Sequence, residues 1–307
     1  MPLLDQLRRL SLLVVTGKGG VGKSTLTATL GRILARSGKR VLLLEVDPRE
    51  SLYQLLGVPP LGGSVSTVAP GLYVQNVRPR DVVDELVRER VWIDLLINRV
   101  LASTVYQHFV EGAPGLKQMA VLGYALRVVR GESARELGGI DMVILDAPAT
   151  GHGVSMLAAP SLVSDVIREG PVGEMAAELA EFTADPARCG VILASLAEEM
   201  PVTETAELID SMRQRLDRQP ELVAVNGLYP AMDDAESETN VELAPALDLW
   251  RERRRVNQRE LKRLAEFWAG PSVQLPMLPV GRGPELVEGL RGSLELALTD
   301  SSPEAAR

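Results

Sequence analysis

Short apolar runs recur along the chain at 10–16, 41–46, 72–77, 140–145, 190–194, 222–226 and 273–275. They are rich in leucine and valine and mostly continuous rather than alternating. That is the pattern of strands covered on both faces, and so of a mostly parallel sheet. Between the first two runs, Leu26, Leu30, Ile33 and Leu34 fall at helical spacing within 23–36, and Gly38 is placed to cap the end. This predicts one βαβ unit, and the remaining pattern repeats it. The expected class is α/β, a mostly parallel sheet flanked by helices.

One stretch breaks the alternation. Residues 80–138 offer no strand, but Val83, Leu86, Val87, Trp92, Leu95, Leu96, Val105, Tyr106 and Phe109 keep helical spacing. The periodicity resumes over 121–129, after the break at Ala113-Pro114-Gly115. The expectation is a core of 8–79 and 139–300 with a helical insertion at 80–138, joined by 165–187, where 169–185 reads as a helix. Such an apolar stripe is more often core than a client groove, and this stretch holds only Met119 where adaptable grooves use many methionines. Farther on, 231–240 reads as an acidic surface loop, 247–268 as a long arginine-rich helix, and 299–307 as a frayed end.

Composition narrows the function. Of 307 residues, 46% are hydrophobic and only 4% aromatic, so the chain can bury a core built mainly from Leu, Val, Ile and Ala. With 33 basic and 41 acidic residues the net charge is −8, which argues against a nonspecific nucleic-acid binder. A single cysteine, Cys189, excludes disulfides within the chain, four-cysteine zinc sites and cysteine-ligated iron–sulfur clusters within one subunit. The run Leu12-Leu13-Val14-Val15 is too short for an export leader and leads straight into a glycine-rich loop. No run reaches the ~20 apolar residues of a spanning helix. A cytoplasmic protein without an integral membrane segment is expected.

That loop carries the chemistry. Gly17-Lys18-Gly19-Gly20-Val21-Gly22-Lys23-Ser24-Thr25 satisfies G-x-x-x-x-G-K-[ST] between a strand and a helix, which predicts a P-loop NTPase fold. The glycines let backbone N–H groups point at phosphate beside a helix N-terminus. Lys23 is the cation for the β- and γ-oxygens, and Ser24 is a ligand for Mg²⁺. Lys18 stands at the side of the loop facing away from its own helix. Only five lysines occur in the chain, and two of them are here. Asp146 ends the apolar strand 140–145 beside the loop, a second candidate for Mg²⁺. Ala147-Pro148-Ala149-Thr150-Gly151-His152 follows as a switch in which the Gly151 N–H can sense the γ-phosphate, His152 being a switch member rather than a base. Asp47 ends the second strand and is a third Mg²⁺ candidate, and Gln54 is placed to orient an attacking water. The same 47–54 segment also reads as an ordinary capped helix start; both readings hold together.

In this order and spacing, Gly17 to Thr25, Asp47-Pro48 and Asp146 to His152 resemble the arsenite-pump ATPase family of deviant Walker A ATPases. That family also contains the ATPase that targets tail-anchored membrane proteins. The resemblance implies that Lys18 reaches the phosphates bound by a partner subunit, either a second copy or a paralogue. It implies that Ala224-Val225-Asn226-Gly227-Leu228-Tyr229-Pro230 and Leu275-Pro276-Met277-Leu278-Pro279 enclose adenine, with Asn226 reading its edge beside Pro276 and Met277. Adenine is also the better choice of base because no Asp follows two positions after a Lys here. The segment 201–205, placed before a helix, matches as well.

Three departures narrow the resemblance. This chain has one phosphate loop and one cysteine, whereas the arsenite pump subunit has two nucleotide sites and a cysteine-based metalloid site. The targeting branch has a zinc-binding cysteine pair, and an Asp where this chain has Gln54. The pump branch has Gln there. The function implied is a dimeric switch that binds and hydrolyses Mg-ATP and couples nucleotide state to a protein client. A soluble subunit of an anion or metalloid efflux system is the alternative. A partition or division-site ATPase is a third, requiring a basic or membrane-seeking face. Arg251-Glu252-Arg253-Arg254-Arg255 is the one candidate face and reads as solvated, so no nucleic acid is expected, and a peripheral membrane partner stays open.

Overall fold

The computed structural model describes residues 2–90, 103–104, 112, 115–134, 137–148, 153–231 and 244–300. Its strands are β1 (Leu12–Thr16), β2 (Val41–Glu45), β3 (Ser66–Ala69), β4 (Leu72–Asn76), β5 (Met142–Asp146), β6 (Cys189–Leu196), β7 (Leu222–Leu228) and β8 (Ser272–Pro276). They form one sheet in the order β3-β4-β2-β5-β1-β6-β7-β8. Every neighbouring pair is parallel except β3 with β4. The mostly parallel α/β sheet is therefore present, and each of the apolar runs at 10–16 through 273–275 forms a strand.

Continuity of those runs follows from the two layers of helices. Along β1, Leu12 and Val14 face one apolar cluster while Leu13 and Val15 face the other. The second cluster is closed by α1 (Leu3–Leu7), α2 (Lys23–Arg36), α3 (Ser51–Leu56) and α10 (Pro284–Thr299). The first is closed by α4 (Pro79–Arg90), α5 (Leu116–Val129), α6 (Gly153–Val166), α7 (Gly170–Ala184), α8 (Glu199–Leu216) and α9 (Ala244–Phe267). Each fully buried Leu or Val contributes about 1.5–3 kcal/mol, so both faces of the sheet are strongly specified.

Within 80–138, the described helix α5 buries Met119, Leu122 and Leu126 in the same cluster as Val143 and Leu145 of β5. Helix α7 joins that cluster through Ala176, Leu179 and Phe182. Trp92, Leu95, Leu96, Val105, Tyr106 and Phe109 lie outside the described residues, as do most of the acidic segment 231–240 and the tail from 301. Helix α9 matches the long arginine-rich helix within three residues at each end.

Two local expectations need correction. No strand was expected at β3, a four-residue hairpin partner that β4 holds at the sheet edge across Pro70-Gly71. Gly71 there has φ of 75°, the left-handed conformation a tight turn requires. The segment 201–205 lies inside α8 rather than before it, because Pro201 sits in the first helical turn. There its missing N–H costs nothing.

A candidate nucleotide site at the strand C-termini

The glycine-rich loop leaves β1 at the centre of the sheet and enters α2 at Lys23. Two of its glycines are sterically obligatory. A Cβ on Gly17 would sit 2.2 Å from the Ala194 carbonyl oxygen, and one on Gly22 would sit 2.5 Å from Asn226 Nδ2. Gly20 and Gly22 have φ of 87° and 90°, the backbone that forms a concave row of N–H groups. Gly19 and Gly20 are exposed, Val21 is buried, and Ser24 and Thr25 are half-buried at the first turn of α2. Lys23 is buried, and its Nζ donates to the Lys18 carbonyl at 2.7 Å. Burial lowers its pKa, opposed by the nearby charges of Asp146 and Asp47.

Asp146 closes β5 opposite Val15, immediately beside the loop. Its Oδ2 accepts from Ser24 Oγ at 2.6 Å, while its Oδ1 is buried with no partner. Burial pushes its pKa up to about 6, with the Ser24 bond and Lys23 pulling down and Asp47 pushing up. Asp47 is half-buried, and its Oδ1 accepts from the Arg49 amide at 2.9 Å. Lys23, Ser24, Asp47 and Asp146 thus converge within electrostatic range.

These residues fit Mg-nucleotide. An unpartnered carboxylate oxygen beside a serine hydroxyl is a donor set for a hard cation. Among the described residues no cluster of three or more His, Cys, Asp and Glu is arranged to hold a metal by itself. Mg²⁺ normally completes its octahedron with phosphate and water, so the sparse protein set suits it.

Asn226 of β7 lies next to the loop. Its Nδ2 donates to the Val21 carbonyl at 2.8 Å, and its Oδ1 is buried and unpartnered. Leu228 pairs with Pro276, and the Met277 amide donates to the Leu228 carbonyl at 2.8 Å, so Asn226, Pro276 and Met277 share the ends of β7 and β8.

Other expected residues sit differently. Lys18 is exposed, and its ammonium pairs with Glu204 of α8 in the same chain. Gln54 is exposed on α3, whose Leu52, Tyr53, Leu55 and Leu56 are buried. Among the described residues no hydrogen bond ties it to Lys23, Asp47 or Asp146. Gly151 and His152 lie outside the described residues.

Glu45, Tyr53 and Asn76 were not singled out from sequence. Glu45 is fully buried at the end of β2, where it accepts from the Leu52 amide at 3.2 and 3.4 Å through its two oxygens. Burial pushes its pKa up to about 8; the Leu52 amide opposes this, and the charges of Asp146 and Asp47 add to it. The one available signal was a carboxylate ending an otherwise apolar strand. Asn76 Nδ2 donates to the Asp47 carbonyl at 2.7 Å, and the Asn76 amide donates to Tyr53 Oη at 3.0 Å. Cys189 is buried under Arg218 and Glu221, its thiol pushed up to about 12 by burial.

Comparison with known proteins bears on the family of the chain. The profile described as anion-transporting ATPase matches residues 10–180. ATPase BagA of Mycobacterium tuberculosis is 32% identical over 219 residues, 68% of this chain and 63% of that protein. An arsenical pump-driving ATPase of Escherichia coli is 27% identical over 278 residues, 85% of this chain and 45% of its own length. Another, from Acidiphilium multivorum, is 27% identical over 93% of this chain and 50% of its own. The chain therefore spans between about half and two thirds of the length of these relatives. The matched span contains the glycine-rich loop, Asp47 and Asp146, and with this the chain belongs to the anion-transporting ATPase family.

Proposed function

We propose that this chain binds Mg-ATP, hydrolyses it, and uses the cycle as a dimeric switch for a protein partner. The observation that carries the reading is the convergence of Lys23, Ser24, Asp47 and Asp146 at the ends of adjacent strands, around a loop in which Gly17 and Gly22 leave no room for a Cβ. Lys23 and the N–H groups of 19–25 hold the phosphates, aided by the positive end of α2. Ser24, through its hydroxyl oxygen, and Asp146 and Asp47, through their carboxylates, would hold Mg²⁺. Mg²⁺, when bound, neutralises charge on the phosphate oxygens. Asn226 accepts from the adenine amine through its free Oδ1, with Pro276 and Met277 beside the base.

Gln54 orients the attacking water once α3 turns it inward, and the Gly151 N–H meets the γ-phosphate. Lys18 leaves Glu204 and reaches the phosphates bound by a second copy or a paralogue, so that closure repacks the helices on the α4–α9 face for a client. Among the described residues no helix is long and apolar enough to cross a membrane; we place the protein in the cytoplasm, with a peripheral membrane partner permitted.

A subunit of a metalloid efflux system is the weaker alternative, because Cys189, the one cysteine of the chain, is buried and its thiol is pushed up to about 12. A DNA-binding face on α9 is likewise unsupported: Arg251 pairs with Asp248, Arg255 with Glu252, and Arg259 and Arg263 with Glu260. Calorimetric titration tests the reading. ATP should bind in the presence of Mg²⁺ and outcompete GTP, and Lys23→Ala should weaken binding at least about 100-fold, the loss of a charge-assisted phosphate contact being worth about 3 kcal/mol. Equal affinity for Lys23→Ala would refute it.

A further inference from the structure

The segment 47–54 carries both Asp47 and Gln54, and its own local bonds, from the Arg49 and Glu50 amides to Asp47, stop short of α3. The N-cap residue of α3, Glu50, has φ of 51° and makes no side-chain capping bond. A non-glycine residue in the left-handed region costs of order 1 kcal/mol or more and persists only where surroundings impose it. Those surroundings are on the neighbouring strands. Glu45 and Asn76 are register partners at the ends of β2 and β4. Glu45 accepts from Leu52 N at the first turn of α3. Asn76 grips the same segment twice, by its side chain at the Asp47 carbonyl and by its amide at Tyr53 Oη. Both residues are rigid because they end buried strands, and both are buried themselves, Glu45 at 0% and Asn76 at 7% exposure.

We infer that Glu45 and Asn76 are positioning residues for phosphoryl transfer: a two-residue cradle that sets where Asp47 and Gln54 stand relative to the phosphate loop, without touching nucleotide. A carboxyl group placed under a helix start in a dry site has no packing advantage over leucine. Its hydrogen bond to Leu52 is what it supplies. Glu45 lies beside Asp146 as well as Asn76 in the sheet, at the register pairs Glu45–Asp146 and Glu45–Asn76. The cradle is therefore one strand away from the Ser24–Asp146 pair, and any movement of 47–54 is referred to a fixed sheet edge.

The inference rests on the ATPase reading, and its test separates the two. Glu45→Met keeps the volume and removes the acceptor; Glu45→Gln keeps an acceptor without the charge; Asn76→Ala removes the side-chain grip. In the full chain, Glu45→Met and Asn76→Ala should lower kcat for ATP about 10- to 100-fold, the cost of misplacing reacting groups by about 1 Å, with nucleotide Kd within about threefold of the parent. Glu45→Gln should restore turnover to within about threefold. Amide hydrogen exchange at Leu52 to Leu56, measured without nucleotide, should accelerate about 10-fold or more in Glu45→Met and not in Glu45→Gln. Equal turnover in Glu45→Met and the parent, Glu45→Gln as slow as Glu45→Met, or exchange rates unaltered by Glu45→Met would each overturn the cradle. A parent that releases no phosphate would refute the ATPase reading instead, while the exchange arm still decides whether the cradle holds α3.

Discussion

Replacing Glu45 by Gln should make the protein more stable, and increasingly so as the pH rises. The carboxyl is fully buried, and its pKa in the folded chain is pushed from 4.5 up to about 8, chiefly by loss of water. A carboxyl raised on folding stabilises the fold below its unfolded pKa and loses that contribution as pH climbs through the folded value. From 4.5 to about 8, at about 1.36 kcal/mol per pH unit, the full loss is roughly 5 kcal/mol. Roughly half of it is lost between pH 6 and pH 9. Glutamine does not titrate and still offers an oxygen to the Leu52 amide. Urea unfolding of parent and Glu45→Gln at pH 6, 7.5 and 9, with a chelator present, should show the stability difference growing by roughly 2–3 kcal/mol in favour of the variant. A difference that stays flat across that range would mean that Glu45 is not held protonated by the fold, and would refute the reasoning. Turnover retained by the same variant would agree with an acceptor role that needs no charge.

Three further outcomes follow from the geometry. Lys18→Ala should bind ATP like the parent but lose nucleotide-dependent dimerisation in sedimentation velocity, whereas undiminished association would reject the trans role. Asn226→Ala removes both the bond to the Val21 carbonyl and the buried oxygen proposed to accept from adenine, so ATP affinity should fall about 10-fold and discrimination against GTP should narrow in competition binding. Leu122→Ala, in the centre of α5 and fully buried against the sheet, should cost about 2–5 kcal/mol in urea unfolding, and a cost below 1 kcal/mol would show that α5 is not part of the core.

Much of the molecule was legible because the two-sided burial of β1, β2 and β5 writes itself as nearly continuous apolar residues. The loop 17–25 was legible because its backbone geometry admits glycine where a Cβ would strike Ala194 or Asn226. What escaped were features made by contacts distant in sequence. Strand β3 exists because β4 offers it a ladder, and its own residues, Ser66-Thr67-Val68-Ala69, carry little periodicity. Glu204 holds Lys18 across 186 residues, and Asn76 holds Asp47 across 29. No local pattern announces such pairs. Glu45 was visible as a charge ending an apolar strand, but its partner is the backbone of Leu52, which any sequence would supply.

Lys23 and its neighbours are proposed to catalyse phosphoryl transfer from ATP. Phosphate release by the purified chain at saturating ATP measures this directly, with and without Mg²⁺, beside Lys23→Ala. Steady release that requires Mg²⁺ and disappears in Lys23→Ala is the predicted result. Release that persists at parental rate in Lys23→Ala, or none from the parent in any nucleotide-bound state, would contradict the account.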